Sequence, residues 1–201
     1  MFKRSTVLLL LLAPLLSAAW KPLGASLKKL SAVTIASLGL LSSPAFADSL
    51  PALGAPAPDF SLPSNAGKDI SLKDLAGKRT VLYFYPGDFT SGCTIEAQGF
   101  ERDIQKYNDL GVQIVGVSVD SVDKHLDFKK KYGLDFPLLS DVGGVVSNKY
   151  GSLLDFGFVG KFSNRQTFII SPKSTIEAVF TDVESRINEH SSDVLAKLQA
   201  L

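Results

Sequence analysis

After about position 80 the chain alternates between short apolar runs and amphipathic stretches. Residues 80–85 form a continuous apolar and aromatic run, and residues 112–119 form a second apolar-rich run, which is typical of strands buried on both faces of a sheet. Between them, from about Ser91, apolar residues recur at helical spacing. These are Ala97, Phe100, Ile104 and Tyr107. Because Gly111 suits the left-handed end of a helix, the pattern predicts one helix between Ser91 and Gly111.

The same alternation continues to the end of the chain. The other segments predicted as regular structure are short edge strands at 59–62 and 69–72, a helix at 122–132, a hairpin of strands at 166–170 and 175–180, and a closing helix from about 188 or 192. Buried strands that alternate with helices indicate an α/β fold with a central sheet flanked by helices. The late hairpin predicts that this sheet is mixed.

The composition limits the chemistry. The chain has 201 residues, 45% of them hydrophobic, which suits one domain with an extension. Its 21 Lys and Arg against 20 Asp and Glu give a net charge of +1, which argues against a nucleic-acid-binding protein. A single cysteine excludes an intramolecular disulfide and a Cys-rich zinc cage, and two histidines leave little for a histidine metal site. The composition therefore leaves little for a metal site.

The first 47 residues differ from the rest and predict a targeting leader. They hold five basic residues and no acidic one, which leaves 16 basic and 20 acidic residues, a net charge of −4, from Asp48 onward. A basic start, an apolar run at 7–16 and the small residues at 17–19 predict a signal peptide of about residues 1–19. A second basic and apolar module at about 20–47 ends in an Ala-x-Ala cleavage motif. We expect the mature domain to be residues 48–201, with no membrane association.

Two interpretations of the leader remain open. One is a single signal peptide followed by a flexible or membrane-anchoring segment, which places the protein in a secretory-route compartment or outside the cell. The other rests on a resemblance to the tripartite leaders of thylakoid-lumen proteins in algae with secondary plastids. In those leaders an aromatic residue follows the first cleavage site, as Trp20 does here. This resemblance implies a plastid location in the thylakoid lumen.

The single cysteine, Cys93, follows a predicted buried strand and a turn, at the point where a predicted helix begins. Free backbone N–H groups at the start of a helix favour the thiolate over the thiol. A reactive nucleophile is one interpretation of Cys93. The alternative is an inert structural thiol, since free cysteine is among the most buried residue types.

The residues around Cys93 carry a resemblance to a known family. Pro86-x-x-x-Thr90-x-x-Cys93 resembles the active-site motif of peroxiredoxins, and the wider segment is similar to their bacterioferritin-comigratory or Q-type subfamily. Three other segments also resemble that family, at residues 57–60, 138–141 and 164–170. The resemblance implies a thioredoxin-like fold and the thiol-dependent reduction of hydrogen peroxide and organic hydroperoxides. It also implies that no metal and no organic cofactor takes part.

The resemblance also implies roles for individual residues. The Cys93 thiolate attacks the hydroperoxide and becomes a sulfenic acid. Thr90 offers a hydroxyl to the peroxide oxygens, although a simple helix N-cap is the alternative. Arg165 brings a permanent cation with a planar fork of donors. Pro86 limits the access of water to the sulfur, and the alternative is that it only ends the strand. Glu96 falls within the motif, but an acid near a helix start suits the helix dipole, so we expect no catalytic role.

The chain departs from the family at one position. Many Q-type members carry a resolving cysteine five residues after the first, where this chain has Gln98. The sulfenate therefore needs an external thiol, with thioredoxin, glutaredoxin and glutathione as candidates. The resemblance to Q-type members implies a monomer or weak dimer. The alternative function is a peroxide sensor or redox relay that passes oxidation from Cys93 to a partner protein. A dithiol oxidoreductase is disfavoured because the paired thiol is lacking.

Two further features of the sequence lead to structural expectations. The segment 156–162 is rich in phenylalanine and glycine, and we expect these rings to pack into the domain. An apolar rim for bulky hydroperoxides, or a self-association patch, is the alternative. His125 and His190 lie far from Cys93 in sequence and show no metal-ligand spacing, so we expect them to be ordinary surface residues.

Overall fold

A computed structural model describes residues 49–201. In chain order its elements are β1 (Ser61–Pro63), β2 (Asp69–Ser71), α1 (Leu72–Leu75), β3 (Arg79–Phe84), α2 (Ser91–Arg102), α3 (Ile104–Asp109), β4 (Val112–Ser118), α4 (Val122–Tyr132), β5 (Leu138–Ser140), α5 (Val145–Lys149), β6 (Leu153–Asp155), β7 (Lys161–Ser163), β8 (Gln166–Ile170), β9 (Ile176–Phe180) and α6 (His190–Gln199). The predicted leader, residues 1–47, and its two cleavage sites lie outside the described residues. Within the described part, no helix is long and apolar enough to cross a membrane.

Five strands form the central sheet, in the order β5-β4-β3-β8-β9. The strand β3 pairs in parallel with β4, and β4 pairs in parallel with β5. On its other side β3 pairs antiparallel with β8, which pairs antiparallel with β9. The sheet is therefore mixed, as the hairpin pattern predicts, and its middle strand β3 leads directly toward Cys93.

Each face of the sheet is covered, so alternate residues of β3 enter two separate cores. Val81 and Tyr83 pack in one core with Phe100 of α2 and Phe128 of α4. Leu82 and Phe84 pack in the other, with residues of β1, α1 and α5. Burial on both faces explains why β3 reads as a continuous apolar run. The α/β prediction is confirmed.

The helix predicted from Ser91 to Gly111 is interrupted at Asp103. The structure has α2 and α3 on either side of this residue, whose carboxylate is 3% exposed. Its oxygens accept hydrogen bonds from Arg102, Lys106 and the Ser191 hydroxyl of α6. The prediction of one continuous helix was wrong, because the spacing of apolar residues gives no indication that an acidic residue is buried between two helices.

The expectation that the phenylalanines at 156–162 pack into the domain was wrong. Phe156 is 56% exposed, Phe158 is fully exposed and Phe162 is 37% exposed. The strands β6 and β7 form a separate antiparallel hairpin, and its tip is a 3-10 turn at Gly157–Val159. A short two-stranded hairpin has no inner face to bury its tip residues, so these rings lie at the surface.

Candidate active site

Cys93 is the third residue of α2, which begins directly after the loop that follows β3. Its side chain is buried, at 1% exposure, among the residues of the first core. The first turn of a helix presents backbone N–H groups without intrahelical partners, and the helix dipole favours negative charge there. The start of α2 therefore presents its N–H groups and the positive end of its dipole on the side of the sulfur.

Arg165 provides the direct polar contact to the sulfur. It lies immediately before β8, the antiparallel neighbour of β3, so the sheet register brings it to the same end of the sheet as Cys93. Its Nη1 atom donates to Cys93 Sγ at 3.4 Å. Arg165 is itself 6% exposed. A buried, permanently charged guanidinium at this distance stabilises negative charge on the sulfur.

Two carboxylates hold the guanidinium in place. Nη1 of Arg165 donates to Glu96 Oε2 at 2.7 Å, and its Nε donates to Glu184 Oε2 at 2.6 Å. Glu96 is buried, whereas the side chain of Glu184 is 75% exposed, in the 3-10 turn before α6. The orientation of Arg165 is thus set from α2 on one side and from the C-terminal segment on the other.

Gly92 allows this close approach. A Cβ atom built on Gly92 would lie 2.9 Å from Nη2 of Arg165 and 3.4 Å from Cδ1 of Ile187. Any larger residue before Cys93 would therefore push against the guanidinium. The absence of a side chain at Gly92 therefore leaves room for the guanidinium beside Cys93.

The interpretation of Glu96 as an acid that merely complements the helix dipole was wrong. It is the sixth residue of α2, beyond the first turn, and is 1% exposed. Burial raises the pKa of Glu96 to about 7, with Arg165 acting in the opposite direction. Its Oε1 atom is buried without a hydrogen-bond partner in the described structure. Glu96 is therefore a buried ionisable group bound to the guanidinium that contacts the sulfur.

Both histidines are buried, so the expectation of ordinary surface residues was wrong. His190, at 2% exposure, begins α6, and its Nε2 lies 2.8 Å from the Thr167 hydroxyl and 3.7 Å from Glu96 Oε1. Burial lowers the pKa of His190 to about 4. His125 is completely buried in α4, with its Nδ1 atom 2.7 Å from Asp88 Oδ2.

Thr90 and Pro86 lie in the loop between β3 and α2. Thr90 is the N-cap residue of α2, but its side chain makes no capping hydrogen bond. Its hydroxyl donates instead to the carbonyl oxygen of Gly87 at 3.1 Å. Pro86 is half-buried at the start of the loop. Of the four predicted site residues, Cys93 and Arg165 are in direct contact, and Thr90 bonds within the loop.

Comparison with known proteins decides the family. The AhpC/TSA family model matches residues 53–179. The peroxiredoxin bcp of Coxiella burnetii is 42% identical over 149 residues, which cover 73% of this chain and 97% of that protein. This chain is a peroxiredoxin of the AhpC/TSA family. Thiol-dependent reduction of peroxides is its activity.

Other relatives support the same subfamily and fold. The chloroplastic peroxiredoxin Q of Oryza sativa subsp. japonica is 34% identical over 148 residues, covering 74% of this chain and 67% of that protein. The crystal structure of peroxidoxin BcpB from Mycobacterium tuberculosis aligns with a TM-score of 0.68 at 32% identity, covering 75% of this chain and 98% of that one. The PrxQ structure of Xylella fastidiosa aligns with a TM-score of 0.69 at 28% identity, covering 76% and 98%. The predicted thioredoxin-like peroxiredoxin of the bacterioferritin-comigratory or Q type is confirmed.

This peroxiredoxin has no second sulfur for an internal disulfide, because Cys93 is its only cysteine. Gln98, at the position where many Q-type members carry the resolving cysteine, is exposed on α2. Within residues 49–201, no group of three His, Cys, Asp or Glu side chains is arranged to hold a metal ion. The single cysteine is consistent with a one-cysteine mechanism.

Proposed function

We propose that Cys93 is the nucleophile of a one-cysteine peroxidase cycle. The thiolate attacks the terminal oxygen of a hydroperoxide, the O–O bond breaks, and the leaving oxygen takes up a proton to depart as water or an alcohol. Cys93 becomes a sulfenic acid. An external thiol then displaces water to form a mixed disulfide, and a second thiol releases Cys93 and leaves as the disulfide. One hydroperoxide is reduced for every two thiols oxidised.

The observation that carries this proposal is the contact between Arg165 and the buried sulfur. As the O–O bond breaks, negative charge moves from the sulfur to the leaving oxygen. A guanidinium with several N–H donors stabilises charge at both ends of that movement. Because Glu96 and Glu184 already orient the guanidinium, little reorganisation is needed at the moment of reaction.

Thr90 and Pro86 would shape the place where the hydroperoxide binds. The Thr90 hydroxyl donates to Gly87, so its oxygen lone pairs are free to accept a hydrogen bond from the hydroperoxide O–H. Pro86 lacks a backbone N–H, and its half-buried ring would exclude water near the start of α2. Thr90 thus orients the attacked oxygen, and Pro86 keeps competing hydrogen bonds away.

Reduction by a thiol requires the sulfur to become accessible. Cys93 is 1% exposed, so a reductant of protein size reaches it only if the first turn of α2 opens. The N-cap residue Thr90 makes no side-chain capping bond, which lowers the free energy needed for such opening. Thioredoxin, glutaredoxin and glutathione are the candidate reductants.

Steady-state peroxide consumption with each candidate thiol tests this proposal. We expect repeated turnover with at least one donor and none with protein whose Cys93 has been alkylated. A single stoichiometric turnover with every donor would instead favour the peroxide sensor or redox relay, in which Cys93 passes its oxidation to a partner protein. Equal peroxide consumption by the alkylated protein would contradict the role of Cys93.

The same proposal predicts that Cys93 is prone to overoxidation. Without an internal sulfur to trap it, the sulfenate persists until an external thiol arrives, so excess peroxide converts it to the sulfinic acid. Intact mass spectrometry after graded peroxide without reductant should show the addition of two oxygen atoms. A matched sample with reductant present should remain unmodified. A product that keeps only one added oxygen at high peroxide would contradict this prediction.

We infer that the protein acts in a plastid, as the chloroplastic peroxiredoxin Q of rice does, and that its leader directs it to the thylakoid lumen. The support lies in the two-module leader, with Trp20 after the first cleavage motif. The mature protein would then begin at Asp48. N-terminal sequencing of protein purified from the organelle tests this. An intact second module in the mature protein would contradict it.

A further inference from the structure

The loop between β3 and α2 carries a buried carboxylate that the peroxidase cycle does not use. Asp88 lies between Pro86 and Thr90 and is 3% exposed. Loops normally keep such groups in water, because a buried charge is costly unless it is paired and hydrogen-bonded. The carboxylate of Asp88 therefore has to be explained by its partners.

Those partners lie at the start of the loop, directly after β3, and in α4. Oδ1 of Asp88 accepts a hydrogen bond from the Tyr85 hydroxyl at 2.7 Å, and Oδ2 lies 2.7 Å from Nδ1 of His125 in α4. The other ring nitrogen of His125 lies 3.1 Å from the carbonyl oxygen of Leu139 in β5. Because the Leu139 oxygen can only accept, Nε2 donates to it, and Nδ1 faces both Asp88 Oδ2 and the Tyr85 hydroxyl, which lies 3.3 Å away. Asp88 is thus bonded to the residue that follows β3 and to α4, and His125 in turn bonds to β5.

Two more contacts fix the same loop. The backbone N–H of Asp88 donates to Asp120 Oδ2 at 2.6 Å. Phe89 has a φ of 66°, a left-handed conformation that is uncommon for a bulky residue. Its ring packs edge-on against that of Phe128 in α4, with the two ring centroids 5.2 Å apart. His125 and Phe128 are three residues apart on one face of α4. The same helix therefore contacts both Asp88 and Phe89. Such a backbone conformation persists only where its surroundings impose it.

The geometry points to Asp88 and His125 as positioning residues for the peroxide-binding loop. They hold residues 86–90 in the conformation that places Thr90 at the start of α2 and its hydroxyl near the Gly87 carbonyl. This role rests on the proposed function of Cys93 and Thr90. It acts through hydrogen-bond geometry, since neither side chain needs to touch the substrate.

Two substitutions of Asp88 distinguish an effect of hydrogen-bond geometry from an effect of charge. In Asp88→Asn the side-chain amide can donate to Nδ1 of His125, while its oxygen still accepts from Tyr85, so the loop should keep its conformation. In Asp88→Ala both bonds are lost. We expect Asp88→Ala to lower the second-order rate constant for Cys93 oxidation by hydrogen peroxide about 10- to 100-fold, as misplacement of a reacting group does. Asp88→Asn should stay within about 3-fold of the wild type.

The control is Asp103→Ala, which removes another carboxylate that is 3% exposed, at the opposite end of α2 from Cys93. It should lose thermal stability but keep the oxidation rate. The rate is measured by mixing the folded protein with peroxide, blocking free Cys93 with an alkylating agent at set times and counting the products by intact mass. If Asp88→Ala does not fold, Tyr85→Phe, which deletes one hydroxyl bond to Asp88, should lower the rate several-fold.

Three outcomes would overturn the role. Folded Asp88→Ala, or the substitute Tyr85→Phe, could react at the wild-type rate. Asp88→Asn could be as slow as Asp88→Ala, which would show that charge and not geometry matters. Asp103→Ala could slow as much as Asp88→Ala, which would reduce the effect to general destabilisation. If wild-type Cys93 itself forms no sulfenate, the proposed function fails first, and that result is distinguishable because it precedes any comparison of variants.

Discussion

Replacing Arg165 by methionine is expected to lower the second-order rate constant for Cys93 oxidation on the order of 100- to 1000-fold, the loss that follows removal of one preorganised donor at a developing charge. Nη1 of Arg165 lies 3.4 Å from Sγ, and both residues are buried. Methionine keeps the apolar stem but removes the charge and all five donors. The rate with hydrogen peroxide, measured under single-turnover conditions, checks this prediction.

Two variants separate the proposed role of Arg165 from general effects on folding. Arg165→Lys keeps the charge but loses the planar fork that binds two carboxylates, so its rate should lie between those of the wild type and Arg165→Met. Arg79→Met removes another arginine–carboxylate pair, with Glu177, from the start of β3, and should leave the rate unchanged. A folded Arg165→Met protein that reacts within a few-fold of the wild type would contradict the role.

The apolar pattern was sufficient to predict most of the central sheet and the place of Cys93. The run at 80–85 corresponds to β3, and the predicted helix at 122–132 has the bounds of α4. Such segments are predictable because burial on both faces, or on one helical face, leaves a direct trace in the sequence. The exposure of Phe158 at the hairpin tip is not predictable in this way, because the sequence alone does not distinguish an exposed phenylalanine from a buried one.

The polar partners of the site were harder to predict than the nucleophile. Glu96 follows Cys93 by three residues and so lies on the same face of α2, next to the buried residues Ala97 and Phe100. That spacing was a usable indication of burial. His125 has the same relation to Phe128 in α4. The pairings of Arg165 with Glu184, and of Asp88 with His125, join residues that are far apart in sequence. The local hydrophobic pattern therefore cannot predict them.

Replacing Glu96 by glutamine is expected to make the protein more stable than the wild type at neutral pH. Burial raises the pKa of Glu96 to about 7, from an ordinary value of 4.5. Between these values the unfolded chain releases a proton that the folded protein still holds. The free energy of unfolding of the wild type therefore falls as the pH rises through this window, by roughly 3 kcal/mol in total. Glutamine does not titrate, so the variant escapes this loss.

Chemical denaturation of both proteins from pH 4.5 to 8 checks this prediction. The stability advantage of Glu96→Gln should grow up to about pH 7 and then level off. The lowered pKa of His190 makes stability rise between about pH 4 and 6.5 in both proteins, so the comparison uses the difference between the two profiles. An advantage that is constant over this range, or that shrinks as the pH rises, would contradict it.

A stabilising Glu96→Gln substitution would show that the buried carboxylate does not contribute to folding stability at neutral pH, so its role must lie elsewhere. The glutamine oxygen can still accept from Nη1 of Arg165, but it gives the guanidinium no negative charge to hold it. We expect the variant to oxidise Cys93 more slowly than the wild type above pH 7, where Glu96 is ionised. Greater stability with slower chemistry would mean that the buried charge of Glu96 serves the alignment of Arg165 at the expense of folding free energy.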